Sequence, residues 1–512
     1  MKLNSRTLLA VSTFACLCGT YEAYALLVSP WFSPPADTVA DPKEPASDPV
    51  AQKPAENRRQ AEAYLRDQEW TYKSDGLTTG SKYQFRSDTG FFYFNEWETV
   101  EPTGQVRFTP FAMIWRPKGH PPDKAPYTIV SDSALVEFVS KFDVKNPNPG
   151  RVIGGALEGN VLIRGPDNLA IDGKHFNFAE RALRIWSEHV VHFQQGPHKG
   201  SGHGLDIDLI PSPESKDLDK PAVSGIRTVR LRKEVEMRLV SEPKPPEKHN
   251  GPKSNEAKPA EDDVVFVNSE GSFNFDVEAH LATFENEVRV KRPTGKGQTD
   301  RLNCDLLTLF FEPKGATPPA SPAAGGPPPA IAEADSNFGN LEFRRLRAEG
   351  SVGRVVTVAS QRSDMQGRMN ELTYDAKDRV IVLRDAKQVA LLQKNNELLC
   401  PEITAGLDDK SQIERATCRG AGQLFQYALE AGSKRTRAAR PVELAAKWQK
   451  KLNKSFDATR GLDLIEFEGR AELSQVGKSS LSAETIRIWV TPSDQKFDKP
   501  GSDGGPQGRD AG

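Results

Sequence analysis

Outside its Pro-rich stretches, this chain repeatedly alternates apolar and polar residues with a period of two. Successive side chains on a β-strand point to opposite faces, so this pattern selects strands with one buried face. Glu158–Arg164 (EGNVLIR) reads as such a strand, as do Lys174–Phe178, Leu183–Phe193, Gly204–Leu209 and Ile226–Val240. In the third of these, Leu183, Ile185, Val191 and Phe193 share one face. Arg184, Trp186, Glu188 and His192 take the other. Asp172-Gly173 and the Gly-rich run Gly196–Gly204 supply turns. Helical candidates are few. Ala61–Tyr72 reads as a short helix, and Val442–Leu452 (VELAAKWQKKL) is open between a helix favoured by propensity and a long strand favoured by context.

Four stretches carry no hydrophobic periodicity: Ser33–Gln60, Glu242–Asp262, Glu312–Asp335 and Ser493–Gly512. They absorb much of the Gly (40) and Pro (38) content and dilute hydrophobic residues to 37%. Flexible spacers fit them, and long insertions between strands cost little because closure entropy grows only logarithmically. The resulting organisation is 1–32 leader, 33–60 linker, 61–150 strand-rich segment without recognisable kin, and 151–241 first β module. Then come 242–262 linker, 263–311 second module, 312–335 linker, 336–492 third and fourth modules, and 493–512 tail. A net charge of -2 argues against nucleic acid as a partner, since phosphate binding needs a basic surplus. Phe 25 against Tyr 9 and Trp 7 is a skew toward rings without a polar handle.

Lys2 and Arg6 precede an uncharged run from Thr7 to Gly19, and Leu26–Phe32 extends it past Glu22. Two readings stand. One is a membrane anchor spanning Thr7–Phe32; the other is a signal peptide cleaved near Ala23-Tyr24-Ala25. Both export the remainder of the chain. Five cysteines exclude a disulfide scaffold. Cys16 and Cys18 lie in the leader, Cys304 reads as a buried hydrophobe, and Cys400 and Cys418 read either as buried hydrophobes or as a bridge between adjacent strands.

One theme recurs: an apolar residue, then x-Gly-x (x-Asn-x in one copy), then an apolar residue that continues the strand. Its instances are Leu157-Glu158-Gly159-Asn160-Val161, Phe284-Glu285-Asn286-Glu287-Val288, Ala348-Glu349-Gly350-Ser351-Val352 and Phe467-Glu468-Gly469-Arg470-Ala471, with the turn Leu372-Thr373-Tyr374-Asp375. Val191-His192-Phe193 followed by Gly200–Leu209 adds a strand, a Gly-x-Gly turn and an amphipathic strand. Over about Arg151–Pro492 this resembles the OstA-like lipopolysaccharide-export family, the modules of LptA, LptC and the N-terminal part of LptD. The resemblance implies an all-β fold, a β-jellyroll or β-taco of two facing antiparallel sheets built from repeated modules. It implies a periplasmic, inner-membrane-anchored component that holds the acyl chains of lipopolysaccharide or a similar glycolipid. It also implies partners: an inner-membrane ABC transporter and other β-jellyroll bridge proteins, met through edge strands. The inserted linkers are longer than compact members of that family carry.

The candidate lipid-binding residues are Val161, Ile163, Phe176, Phe178, Ile185, Phe193, Phe284, Val288, Ile465, Phe467, Ile486 and Ile488. Each buried acyl methylene contributes about 0.8 kcal/mol, so a groove needs no catalytic group. No G-x-S-x-G elbow, phosphate loop or H-E-x-x-H is present, and no enzyme, cofactor or metal is expected. His189 and His192 fall on opposite strand faces, while His198 and His203 share a Gly-rich segment and would converge only in a turn. Asp206 and Asp208 share a face, as a half-buried strand requires. Basic faces occur at Arg230, Arg232, Lys233 and Arg238, and at Arg344, Arg345 and Arg347, with Lys434–Arg440 as an exposed basic loop. The other reading open to such a chain is an envelope adaptor that binds no lipid.

Overall fold

The alternating segments form hydrogen-bonded antiparallel strands almost throughout the computed structural model. It describes residues 53–73, 80–86, 90–116, 123–142, 152–166, 168–211, 223–240, 264–294, 297–313, 341–408, 413–428, 441–475 and 477–491. The leader 1–32 with Cys16 and Cys18, the 493–512 tail, the basic loop Lys434–Arg440 and nearly all of the Pro-rich stretches lie outside these residues. No described helix is long and apolar enough to cross a membrane.

The chain divides into two compact units, Met1–Asp364 with Asp375–Lys377, and Met365–Tyr374 with Asp378–Gly512. The first opens with helix α1 (Lys53–Tyr64), which begins before Ala61, inside the stretch read as linker, and ends well before Tyr72. Pro54 suits a first turn, because its missing N–H has no helical partner there. Ala61 and Leu65 pack against Phe91, Tyr93, Ala112 and Ile114, and the Tyr93 hydroxyl donates to the Asn57 carbonyl at 2.8 Å. The early strands are β1 (Tyr83–Arg86), β2 (Gly90–Phe94), β3 (Glu96–Val100), β4 (Gln105–Thr109), β5 (Phe111–Trp115) and β6 (Tyr127–Phe138). Part of the Phe skew is spent here, where Phe94, Val106 and Phe108 gather Tyr83, Phe85, Trp97, Phe111, Phe138 and Phe142.

Longer strands follow: β7 (Val152–Gly165), β8 (Leu169–Ala179), β9 (Arg184–Gln195), β10 (His198–Pro211) and β11 (Val223–Val240). After them come β12 (Val264–Ser269), β13 (Phe273–Asp276), β14 (Leu281–Pro293), β15 (Thr299–Pro313), β16 (Leu341–Glu349) and β17 (Val356–Ser360). β6 pairs with β7, so the segment of unknown kin belongs to the same ladder as the first module. Strands on both sides of the stretches at 242–262 and 312–335 also pair directly, β11 with β12 and β15 with β16. Those stretches are insertions within one ladder, as the weak length dependence of closure entropy allows.

The second unit contains β18 (Met365–Met369), β19 (Glu371–Asp375, all but its last residue), β20 (Val380–Gln393), β21 (Asn396–Leu407) and β22 (Ile413–Arg419). It continues with β23 (Gly422–Tyr427), β24 (Val442–Trp448), β25 (Lys451–Asp457), β26 (Leu462–Gln475) and β27 (Ser479–Val490). Val442–Leu452 is therefore strand, broken at Gln449-Lys450. Its apolar residues Ala446 and Trp448 recur at period two into a buried face, and that packing outweighs helix propensity.

A crease crosses both ladders. Long strands carry a register irregularity near their midpoints, at Leu157/Asn160 on β7, Glu285/Val288 on β14, Arg384/Val389 on β20 and Glu468/Ala471 on β26. Elsewhere a strand is interrupted outright, at Glu270–Ser272 between β12 and β13, at Gly420-Ala421 between β22 and β23, and at Gln449-Lys450 between β24 and β25. Extra residues of this kind bend a strand and sharpen its twist. Positive φ marks the bend at Gly159, Gly204, Glu234, Asn286, Glu287, Gly469 and Arg470. The outer side of the crease is polar. Asp132 accepts the backbone and side-chain N–H of Asn160, Arg354 donates to Asn286 and Asp305, and Lys450 donates to Glu484.

Glycine is required where a ring lies flat on the strand. A Cβ at Gly422 would sit 2.2 Å from the Trp448 ring and 2.8 Å from the Leu399 carbonyl oxygen. Ring and main chain cannot both withdraw. Gly422→Ala is expected to cost about 1–3 kcal/mol, the range for overpacking, read as a lower urea midpoint for the second unit.

Candidate functional site

Cross-strand partners share a face, so the printed registers trace which side chains line the inner side of each crease. In the first unit, one row beside the crease runs Phe108, Ala134, Leu157, Phe176. A second runs Leu205, Leu231, Phe273, Phe284, Leu307, Ala348. On the other side of the bend, Phe85, Phe92, Met113, Ile129, Ile163, Ile171, Phe193, Gly200 and Met237 are successive partners across their strands. At about 4.8 Å per strand, that apolar lining extends on the order of 40 Å. In the second unit, Leu383, Ile403, Cys418, Leu452, Phe467 and Ile486 form one unbroken buried row.

Every candidate lipid residue lies on this inner face, at two depths. Val161, Ile163, Phe176, Phe193, Phe284, Val288, Phe467 and Ile486 are buried, with Phe193 4% and Phe467 3% exposed. Phe178, Ile185, Ile465 and Ile488 are half-buried and stand farther from the bend. Side chains from the two sides of the crease meet inside it. The Trp448 and Phe467 rings lie 5.8 Å apart, and a Cβ at Gly202 would meet Leu231 at 2.5 Å. The deep residues therefore pack as core, and the outer rows remain half-buried. Sequence reading missed several of the latter: Val290, Leu302 and Val358 in the first unit, and Leu391, Leu398, Leu424 and Leu473 in the second. The period-two pattern contains them, but it does not distinguish rows near a bend from rows remote from it. Val352 departs from the recurring theme. It is fully solvent-exposed, because Gly350–Val355 loops out and Val356 takes the inner position.

The titratable candidates are accounted for by pairing. Asp206 accepts Arg232 through Nε at 2.7 Å and Nη2 at 3.1 Å, and it also bonds Arg184. Burial opposes its charge, yet these two guanidinium groups hold its carboxyl below the ordinary value. Asp208 instead accepts the Thr228 hydroxyl at 2.7 Å, so the two carboxylates have separate partners. The basic faces are similarly engaged. Arg232 also bonds Glu188, Arg238 donates to the Pro197 carbonyl, Arg344 bonds Asp375, and Arg347 pairs with Glu349. Glu158 is held low as well, burial being outweighed by the Ser133 hydroxyl and Arg107.

His198 and His203 do not converge, since both lie on β10. His198 is buried, its Nδ1 accepting the Val240 N–H at 3.2 Å. The histidines brought together are His175 and His189, 5.1 Å apart at the crease. His175 has positive φ, a bend that its sequence context does not signal. Among the described residues, no group of three His, Cys, Asp or Glu is placed to hold a metal. A cleft of about 320 Å³ lies over Gly154-Gly155-Ala156, with Glu137, Asn177, Phe178 and Trp186 in its walls. Most of its lining belongs to the outer face of β6–β9.

Comparison with known proteins adds little. No family model matches the chain, and no curated protein matches it. The solved structure titled "Crystal Structure of TcdB2-TccC3-Cdc42" aligns at 8% identity with a TM-score of 0.06. That alignment covers 81% of this chain and 28% of the other. It carries no argument.

Proposed function

We propose that the creased ladders are β-jellyroll (β-taco) holders for the acyl chains of an amphipathic glycolipid, of the lipopolysaccharide class. In this reading the N-terminal segment tethers the protein to the inner membrane, or directs its export with cleavage, and the β-units work in the periplasm. The observation that supports it is the apolar inner lining, continuous across successive strands and half-buried along its outer rows. Acyl chains lie along those rows, near Phe178 and Ile185 in one unit and Ile465 and Ile488 in the other. Handing the lipid on needs a neighbour. Among the described residues β27 pairs with β26 alone, and its free edge offers main-chain donors and acceptors to a strand of a bridge protein. The inner-membrane ABC transporter is the proposed source of the lipid.

A photo-crosslinking residue replacing Ile488 tests this. Lipid adducts are expected there after expression in a lipopolysaccharide-producing host, and none with the same residue replacing the outward Arg487. Mass spectrometry of gently extracted protein should recover the same lipid. Equal labelling at both positions, or protein free of lipid by both measures, would remove the reading. The deep burial of Phe193 and Phe467 favours a second reading, an envelope adaptor with a sealed interior. Lipid-free protein that still captures a partner through β27 would select it.

A further inference from the structure

We infer that Cys400 and Cys418 close a disulfide across the inside of the second unit's crease as the chain folds under an oxidising thiol–disulfide couple. The inference is independent of the lipid reading. Both side chains are wholly buried, and both are free thiols in this structure. They lie on opposite sides of the bend. Cys400 is paired with Val389 on one side, and Cys418 with Ile403 on the other. Between those positions the ladder is interrupted on both flanks of β21. β20 skips from Arg384 to Val389, while β22 ends at Arg419 and β23 begins at Gly422.

Pro401 occupies the gap, where its missing N–H leaves no ladder bond unmade. Gly420, at φ +87, sits beside the Pro401 ring, which a Cβ at that position would meet at 3.2 Å. The bend thus folds two strand halves together with a wholly buried thiol on each, and Cys400 is the group that most perturbs the Cys418 thiol. Cys400 also donates to the Glu402 carbonyl at 3.3 Å.

The chemistry balances with an external disulfide as oxidant. One cysteine thiolate attacks a sulfur of that disulfide and expels one thiolate, leaving a mixed disulfide. The second cysteine thiolate attacks the protein-bound sulfur and expels the other. The two protein thiols lose two protons and two electrons, and the external S–S bond is reduced to two thiols. Attack requires a thiolate and access, and the folded unit denies both. The Cys400 contact and burial hold the Cys418 thiol protonated. Oxidation therefore belongs to the folding chain, before burial, and the finished bond is shielded from reductants.

Full-length protein, unfolded and reduced, would be refolded in oxidised and reduced glutathione, alkylated and digested with trypsin. The expected product joins peptide Asn395–Lys410 to Ala416–Arg419 and is lost on reduction, while the Cys304 peptide is recovered alkylated. Folded, reduced protein in the same buffer should form it at least an order of magnitude more slowly. Protein alkylated before lysis, from the oxidising compartment of an expression host, gives the same readout without refolding. Native protein with Cys400 and Cys418 both alkylated after either route overturns the inference. So does either one paired with Cys16, Cys18 or Cys304.

Discussion

Phe284→Ala is expected to destabilise the first unit by about 3–5 kcal/mol, the range for emptying a buried aromatic site. Phe284 has no solvent exposure. Its ring lies 4.8 Å from that of Phe273, and its strand partners at that position are Phe273 and Leu307. It stands beside the bend of β14, where Asn286 and Glu287 have positive φ and the backbone has little freedom to collapse into a void. Urea unfolding followed by circular dichroism should show a lower midpoint with an unchanged slope. Ile488→Ala removes a half-buried side chain and should cost at most about 2 kcal/mol, because only part of that surface leaves water on folding. A lipid-binding defect at Ile488 with folding preserved would separate the outer row from the core. A Phe284→Ala protein as stable as the parent would mean that its row does not hold the crease together.

The contrast between those two positions marks what the sequence makes legible. Period-two alternation is visible in every long segment, because a strand with one buried face can satisfy packing in no other way. Val161 and Phe193 were therefore assignable to an inner face without coordinates. The recurring apolar-x-Gly-x-apolar theme was also visible, and it marks the bend itself. Leu157 and Val161 flank the irregularity of β7, Phe284 and Val288 that of β14, and Phe467 and Ala471 that of β26. Gly159 and Gly469 advertise the positive φ there, while Asn286 and Glu287 reach it with ordinary side chains. A bend carried by Glu234 or His175 leaves no compositional trace.

Depth within the crease was illegible for a different reason. Ile465 and Phe467 are both inward residues of β26, two positions apart, and alternation treats them alike. Their burial differs because Phe467 meets Trp448 from the far side of the bend, whereas Ile465 is one row farther out. That contact depends on which strand halves fold together, a long-range property that no local spacing encodes. The charged faces show the same limit. Arg232 and Asp206 are far apart in sequence and belong to strands read separately, so a solvated basic stripe could not be told from one neutralised across the ladder.

His198 supplies the largest expected pH effect. Burial, with a smaller contribution from the Arg238 charge, drives its pKa down to about 4. The imidazole is 2% exposed, and its Nδ1 is committed as acceptor to the Val240 N–H. In the unfolded chain the same group titrates near about 6.5. Between these values the unfolded state binds a proton that the folded state refuses, so stability falls as pH drops through that window. At about 1.4 kcal/mol per unit, the loss approaches 3 kcal/mol at pH 4. Asp206 and Glu158 act separately. Their folded carboxyls are depressed, so their contribution persists above the unfolded carboxylate value and fades only at still lower pH. Urea midpoints taken from pH 7 to pH 4 should therefore slope downward in the parent. In His198→Gln the amide oxygen can still accept from Val240 while no proton is taken up, and the slope across that window should flatten. A parent midpoint that stays level from pH 6.5 to 4 would mean that His198 accepts its proton in the folded state, and that the Val240 contact does not enforce a neutral ring.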